Sequence, residues 1–582
     1  MSIPNSAFVP PSPGAWELEQ THVTRPASIF MAEVYLDALK RGFKDGSRAY
    51  GVLLDHIEPA VINRFVYTAP RAVGAPKSAK GPPPRLLLAV LQRLHPEIRR
   101  RRKRAEEVFR TRAWRDDIER WKRDVKPSIL AEAKALLAED LGRASDDELV
   151  DHLRRATAFA TQTAYWHHRY NMPVMIPVGD FLVHTIAWTG MSAGEILQVL
   201  RGLSPVSAGA VAELDAVRRE VRNDLEASSI LLSERPATAI IEMLLARSTP
   251  AADALRVYLD AIGLRIVGGY DPADGYAREH PDLLVKILRA SVTTDDAARH
   301  AQAEQAIARV RERVPAEHRG QFDELLAEAQ LAYGIRDERI FYGDALGMGV
   351  ARRAILGVGD RLVARGQIKD ATHLVDASSD EMIGLLQRRG GPSADELADR
   401  VRFRLETPLS AAPANLGFPP SPPPPAEWFS GGAARMQRII ELVMTLMFAP
   451  HPGAAATDAN RPASVSSQAV RSAPAGKTLK GFGVSPGVYE GPARVIRTIQ
   501  ELPDVQQGEI LVTPSTGPTF NVILPLIGAL VTERGGALSH AAIVAREYGL
   551  PGIVGCPGAT AAIRTGMRIR VDGGSGEVWI PE

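Results

Sequence analysis

Apolar positions follow two rhythms along this chain. Through most of the first four hundred residues they recur at three- and four-residue spacing. Asp147-Glu-Leu-Val-Asp-His-Leu-Arg154 and Gln321-Phe-Asp-Glu-Leu-Leu-Ala-Glu-Ala329 show the period of a half-buried helix. Ala351 to Arg365 and Ser379 to Arg388 continue it, so the span from about 90 to 400 is expected to be mainly helical. Residues 1 to about 90 are expected to mix short helices with loops, with Pro10-Pro-Ser-Pro-Gly-Ala-Trp16 extended or turned. No internal repeat stands out.

From Leu479 the rhythm changes to short β-branched runs separated by Gly and Pro. Strands are expected at Ala493–Ile496, Glu509–Thr513, Gly528–Thr532, Ile569–Val571 and Glu577–Ile580, with helices at Phe520–Leu526 and Ala541–Tyr548. The fold class read from this is multidomain: a mainly α-helical N-terminal region and a compact C-terminal α/β domain. The expected boundaries are 1–425 for the helical region, 426–478 for a helix and flexible linker, and 479–582 for the α/β domain.

Two linkers carry that division. Pro419-Pro-Ser-Pro-Pro-Pro-Pro425 favours polyproline II and a stiff spacer. A helix is expected at Met436–Met447. His451 to Gly476, rich in Ala, Ser and Pro, reads as flexible, with a root-mean-square reach of about 30 Å.

Composition narrows the class. A net charge of +2 over 582 residues argues against a dedicated nucleic-acid binder. Cys556 is the single cysteine, so no intrachain disulfide or cysteine-rich zinc site can form. No His-Glu-x-x-His string or other metal-ligand spacing occurs, so no metal site is expected. No signal peptide and no apolar run long enough to span a bilayer is seen, and a cytoplasmic location is expected.

The candidate chemistry lies in Thr532-Glu-Arg-Gly-Gly-Ala-Leu-Ser-His540-Ala-Ala-Ile-Val-Ala-Arg546-Glu547. Leu526 to Thr532 reads as a short buried strand. Gly535 and Gly536 break it and let backbone approach an anion. Ser539 is a natural N-cap for the helix that follows. An anion on His540 would sit at the positive end of that helix, before unpaired amides. An imidazole that is neutral near pH 7 is a competent nucleophile toward phosphorus. Thr532, Arg534, Gly535, Gly536, Ser539 and Arg546 are the candidates for holding the phosphoryl group or supporting the ring.

Those residues, with Tyr548-Gly-Leu-Pro-Gly-Ile-Val-Gly555, Gly481-Phe-Gly-Val-Ser-Pro-Gly487, Gly491-Pro-Ala-Arg-Val495 and Gly566-Met-Arg-Ile-Arg-Val-Asp-Gly573, resemble the mobile phosphohistidine domain of phosphoenolpyruvate-utilising enzymes. That family includes phosphoenolpyruvate synthase, pyruvate phosphate dikinase and rifampin phosphotransferase. Pro13-Gly-Ala-Trp16-Glu-Leu-Glu-Gln-Thr-His22-Val-Thr-Arg-Pro26, Val267 to Asp271 with Glu279-His-Pro281, and Tyr333-Gly-Ile-Arg336-Asp-Glu338 resemble the substrate-binding region of the rifampin phosphotransferase branch. The resemblance implies a swivelling α/β domain that carries a phosphoryl group on His540.

The same resemblance frames the expected partners. No Gly-rich phosphate loop of an ATP-grasp domain is seen. The chain therefore looks like a transfer half, as in the split arrangement of phenylphosphate synthase. ATP and Mg²⁺ are expected on a separate ATP-grasp subunit, with no cofactor bound tightly here. The expected acceptor is a small hydroxylated organic molecule, with no membrane or nucleic-acid partner. His22, His168, His184 and Arg336 are the substrate-side candidates. Ile340 departs from the pattern, where relatives often place a Lys. The alternative function is a non-enzymatic ligand-binding or regulatory protein whose phosphohistidine domain is vestigial or signalling.

Three further signals read as structural. Arg99-Arg-Arg-Arg-Lys-Arg104 is taken as a solvated helix face. Trp114 and Trp121, seven apart, are taken as core. His167 and His168, adjacent on a helix, are poor joint metal ligands and read as packing, as does Cys556.

Overall fold

The computed structural model describes residues 8–20, 22–203, 211–266, 270–289, 296–447, 476–517, 520 and 523–581. The expected flexible segment His451–Gly476 lies outside them apart from Gly476, as do Val267, Gly268 and Gly269 of the Val267–Asp271 motif. Contacts group the chain into two units. The first holds Met1–Ile176, Gly268–Tyr276 and Glu338–Glu441; the second holds Pro177–Val267, Ala277–Asp337 and Leu442–Glu582.

The first unit is built on three helices, Ile29–Tyr50, Asp146–Arg169 and Leu346–Ala364, with the middle one packed against both others. Ser28 caps the first by accepting from the Met31 amide at 3.1 Å. Ser145 and Glu148 form a reciprocal capping box at the start of the second. Such caps satisfy amides that have no partner within the helix. Trp114 and Trp121 are buried in this unit, as their spacing suggested.

Residues 1 to 90, expected to mix short helices with loops, hold helix and loop and also three strands of a sheet. β1 (Ala15–Leu18), β2 (Leu54–Ile62), β3 (Phe65–Ala72) and β4 (Asn415–Gly417) form an antiparallel sheet in the order β2-β3-β1-β4. Two causes hid it. Every residue of β2 is half-buried, so the strand shows no inside–outside alternation. Its hairpin turns on Asn63 and Arg64, both at positive φ (51° and 71°), without the glycine that usually marks such a turn. Arg64 is held there by donating to Ala27 O at 2.8 Å and by pairing with the buried carboxylate of Asp376.

The second unit joins helices to an eight-stranded sheet. Its strands are β5 (Gly476–Lys480), β6 (Phe482–Ser485), β7 (Val488–Val495), β8 (Ile510–Thr513), β9 (Ala529–Thr532), β10 (Gly552–Val554), β11 (Arg568–Asp572) and β12 (Glu577–Pro581). The order is β5-β12-β11-β7-β8-β9-β10-β6. The neighbours β7-β8-β9-β10 run parallel and the other pairs antiparallel. Alternate residues such as Ile510 and Val512, Ala529 and Val531, and Ile569 and Val571 form one buried face that also takes Cys556. Burial pushes the Cys556 thiol up to about 11.

The strands expected from sequence are all present. The expected helix Phe520–Leu526 is described only in part. Asn521 and Val522 lie outside the described residues, and Ile523–Leu526 form a turn, with Pro525 unable to donate to a helical ladder. Among the described residues, no single helix is long and apolar enough to cross a membrane.

Candidate functional site

His540 is the first residue of the helix His540–Tyr548, which follows the carboxyl end of the parallel strand β9. In parallel sheets, that end is where ligands gather. The seven-residue connection Glu533–Ser539 is shaped by its glycines. Gly535 sits at φ 100°, where a Cβ would also meet Ser539 Oγ at 2.8 Å. At Gly536 a Cβ would stand 2.2 Å from Leu446 O. The loop is thereby pressed onto the C-terminal end of the helix Gly431–Met447. Gly536 N donates to Met447 O at 3.2 Å and Leu538 N to Leu446 O at 2.9 Å. The Gly536 amide is thus spent on a docking contact, in place of the anion-binding role expected for it.

The other candidates fall around the same loop. Ser539 caps the helix, accepting from Ala542 N at 3.4 Å. Thr532 is fully buried and donates through Oγ1 to Arg534 O at 2.8 Å. The Arg534 amide donates to Pro514 O at 3.0 Å, and its side chain is half-buried. Arg546 is buried and donates through Nη1 to Ala537 O at 3.0 Å, so it braces the loop from behind. Arg336, on the helix Arg319–Arg339, donates through Nη2 to Leu538 O, one residue ahead of the cap.

His540 itself is half-buried. Burial pushes its imidazole down from 6.5 to about 4; the neighbouring Asp337 carboxylate pulls up, and the Arg336 guanidinium pushes down. The ring is therefore neutral near pH 7, the form that attacks phosphorus. Asp337 is buried beside it. Sequence reading named Arg336 but gave Asp337 no role. The available signal was a charged pair, Arg336-Asp337, directly after the apolar run Leu331-Ala-Tyr-Gly-Ile335 of a helix.

The substrate-side histidines divide between the units. His184 belongs to the second unit, where its Nδ1 lies 2.8 Å from Asp180 O and its ring is 5.6 Å from Trp188. His22 and His168 belong to the first and meet in one cluster. His22 is exposed, edge-on to Tyr270 at 5.3 Å, with Nδ1 3.4 Å from Glu19. His168 is buried, edge-on to Tyr35 at 5.1 Å and 4.6 Å from the His167 ring.

His167, read from sequence as packing, pairs with the fully buried Asp344. Asp344 lies on a π-helical turn, Ile340–Ala345, a distortion that often marks functional positions. Arg339 donates to His167 O at 2.8 Å and to Asn171 Oδ1 at 2.6 Å. Burial pushes the Asp344 carboxyl well above its ordinary value, against the pull of Arg339 and His22. Burial also pushes His168 well below its ordinary value, and His167, Arg339 and His22 add to that. Among the described residues, no group of three or more His, Cys, Asp or Glu side chains is placed to hold a metal ion.

Comparison with known proteins agrees with this geometry. Residues 505–576 match the family model described as PEP-utilising enzyme, mobile domain. Residues 170–337 match that of the rifampicin phosphotransferase fourth domain. The C-terminal α/β domain thus matches the mobile domain of phosphoenolpyruvate-utilising enzymes.

Among whole proteins, the chain is similar to a rifampicin phosphotransferase of Streptomyces sp, at 30% identity over 343 residues, 56% of this chain and 34% of that protein. It is also similar to the rifampicin phosphotransferase of Bacillus subtilis, at 47% over 107 residues, covering 18% and 12%. A phosphoenolpyruvate synthase of Pyrococcus furiosus is 46% identical over 101 residues, covering 17% and 12%. The chain spans about a third or less of the length of these relatives. The resemblance read from sequence is borne out, and the fourth-domain match adds a boundary near 170 that the sequence reading did not draw.

Proposed function

We propose that this chain is a phosphotransferase component that carries a phosphoryl group on His540. The carrying observation is the placement of His540: first residue of a Ser539-capped helix, kept neutral, with Arg336 and Asp337 beside it. The mobile-domain match and the phosphotransferase relatives support the same reading.

In the first step a ring nitrogen of His540 attacks phosphorus, and the bond from phosphorus to the donor's leaving oxygen breaks. The donor is ATP, presented with Mg²⁺ by a separate ATP-grasp subunit. The helix-start amides and Arg336 neutralise the charge on the phosphoryl oxygens. In the second step the hydroxyl of a small organic acceptor attacks phosphorus, the N–P bond breaks, and the hydroxyl proton passes to a base. Asp337 is the carboxylate suited to that role on the His540 side. The His167–Asp344 pair with neutral His168 offers imidazole chemistry in the first unit. The reading includes a cytoplasmic site of action.

The test is labelling. The purified chain and its His540→Ala variant are incubated with γ- and, separately, β-labelled ATP in lysate of the source cell. Acid-labile, alkali-stable label on the wild type alone supports the reading, and β-label assigns dikinase-type chemistry. An unlabelled wild type in an active lysate removes it.

A further inference from the structure

A surface of the first unit joins two features that solvent alone does not explain. The helix Arg85–Leu94 turns large apolar side chains outward. Leu86 is 84% exposed and Leu94 73%, with Leu87 and Val90 about half exposed, while Leu88 and Gln92 face inward. Leu86, Val90 and Leu94 stand four apart, so they form one stripe along the helix. Isolated exposed leucines are ordinary, but a continuous stripe on one short helix marks a contact surface.

The same helix forms one wall of a groove of about 710 Å³, whose other wall is the helix Pro96–Thr111 and whose end is Ser430–Gly431. The groove is cationic: Arg93, Arg99, Arg102 and Lys103 line it. Its one carboxylate, Glu106, is engaged by the Gly432 amide at 2.5 Å. The basic run does not act as a uniform solvated face. Arg101 is buried on Glu97, Asp55 and Val52 O, and Arg104 donates to Ala49 O. Arg102 donates to Gln92 O at 3.3 Å and Ser430 Oγ at 3.1 Å, which leaves Arg93, on the helix that carries the stripe, with Arg99 and Lys103 toward the groove.

We propose that this surface is a docking site for a partner protein that presents an acidic amphipathic helix. Apolar residues of the partner would cover Leu86, Val90 and Leu94, and its Asp and Glu side chains would enter the cationic groove.

The charge pattern selects this occupant. Arg93, Arg99, Arg102 and Lys103 line the groove against the single carboxylate of Glu106. A second copy of the chain would set these cations against each other, which repels. A nucleic acid would match the charge and leave the leucine stripe wet. A bilayer would match both, but it is flat, and the cations here line a concave groove. The proposal stands independently of phosphoryl transfer.

The probe is a short designed helix with Leu four apart on one face and Glu on its flanks. Its control carries Lys in place of Glu. Titrated against the full chain, the Glu helix binds, and the Lys helix binds at least about tenfold more weakly. Raising salt weakens the Glu helix about tenfold. The triple variants Leu86→Ser/Val90→Ser/Leu94→Ser and Arg93→Glu/Arg99→Glu/Lys103→Glu each lose about tenfold in affinity with unchanged circular dichroism. Should a variant misfold, hydrogen exchange on the wild type decides: the Glu helix slows exchange in residues 85–103.

Equal binding of both helices, or none, overturns the proposal. So does concentration-dependent dimerisation abolished by the leucine variant, which assigns the stripe to a second copy. Binding to phosphatidylserine vesicles or duplex DNA in preference to the Glu helix overturns it as well.

Discussion

His540 and the His22–His167–His168 cluster put the same side chain to work in opposite surroundings. His540 draws its environment from backbone: a glycine loop, a capped helix start and the amides of one turn, with Arg336 and Asp337 added from a single neighbouring helix. The cluster in the first unit draws its environment from side chains: Asp344 against His167, Tyr35 against His168, Tyr270 against His22. A backbone site can bind an anion and release it without reorganising a core. A buried side-chain site holds its protons in place and loses most when one member is removed. The two are suited to carrying a group and to controlling a proton.

The largest effect that sharpens this contrast is at His540. Replacement by Ala removes the proposed nucleophile, and phosphoryl labelling is expected to fall about a thousandfold or more. His168→Ala, by contrast, leaves labelling of His540 intact. Loss of label in both variants would break the distinction.

Next is Asp344. Its carboxyl is pushed up by burial, so Asn mimics its protonated form while Ala leaves a polar hole. Asp344→Ala is expected to cost about 3 kcal/mol and Asp344→Asn about 1 kcal/mol in denaturant unfolding. Equal costs would show that the carboxyl is charged in the cluster.

Gly536→Ala drives a methyl into Leu446 O and is expected to cost about 2 kcal/mol, read as a lowered melting temperature of the second unit. Ser539→Ala removes the cap and costs about 1 kcal/mol by the same measurement.

The last effect is a pH dependence. The folded pKa of His540, about 4, lies below its ordinary 6.5. The unfolded chain therefore takes up the proton first as pH falls. Stability from this residue is complete above about 6.5 and is lost as pH drops toward 4. His540→Gln should flatten that part of the melting-temperature profile relative to wild type. An unchanged profile would place the ring in solvent.

The same contrast explains what could be read in the chain before its structure. His540, its cap, its strand and its helix lie within about twenty consecutive residues, and each follows a local rule: Gly for a tight turn, Ser before a helix, an apolar run for a buried strand. The neighbouring Arg336 was found by resemblance, but Asp337 had no role, because a carboxylate on a helix looks like any other solvated one. The cluster was harder. Residues 22, 35, 168, 270 and 344 come from five segments, and no spacing rule links them. His167 was read as packing because two adjacent histidines diverge on a helix. Their rings instead lie 4.6 Å apart, and Asp344 is brought to one of them by a π-helical turn that leaves no mark in hydrophobic period. The sheet near the N-terminus was missed for a related reason: a hairpin turning on Asn63-Arg64 is stabilised by Asp376, more than three hundred residues away.

One contact made by the histidine loop reaches beyond the loop. Gly536 and Leu538 occupy the last carbonyls of the helix Gly431–Met447, which leads into the chain connecting to β5. If the histidine domain departs, those carbonyls face water, and the final turn is left to fray. Each residue that unwinds exchanges about 1.5 Å of helical rise for about 3.5 Å of extended chain. Unwinding two residues of that helix end would thus add about 4 Å of reach.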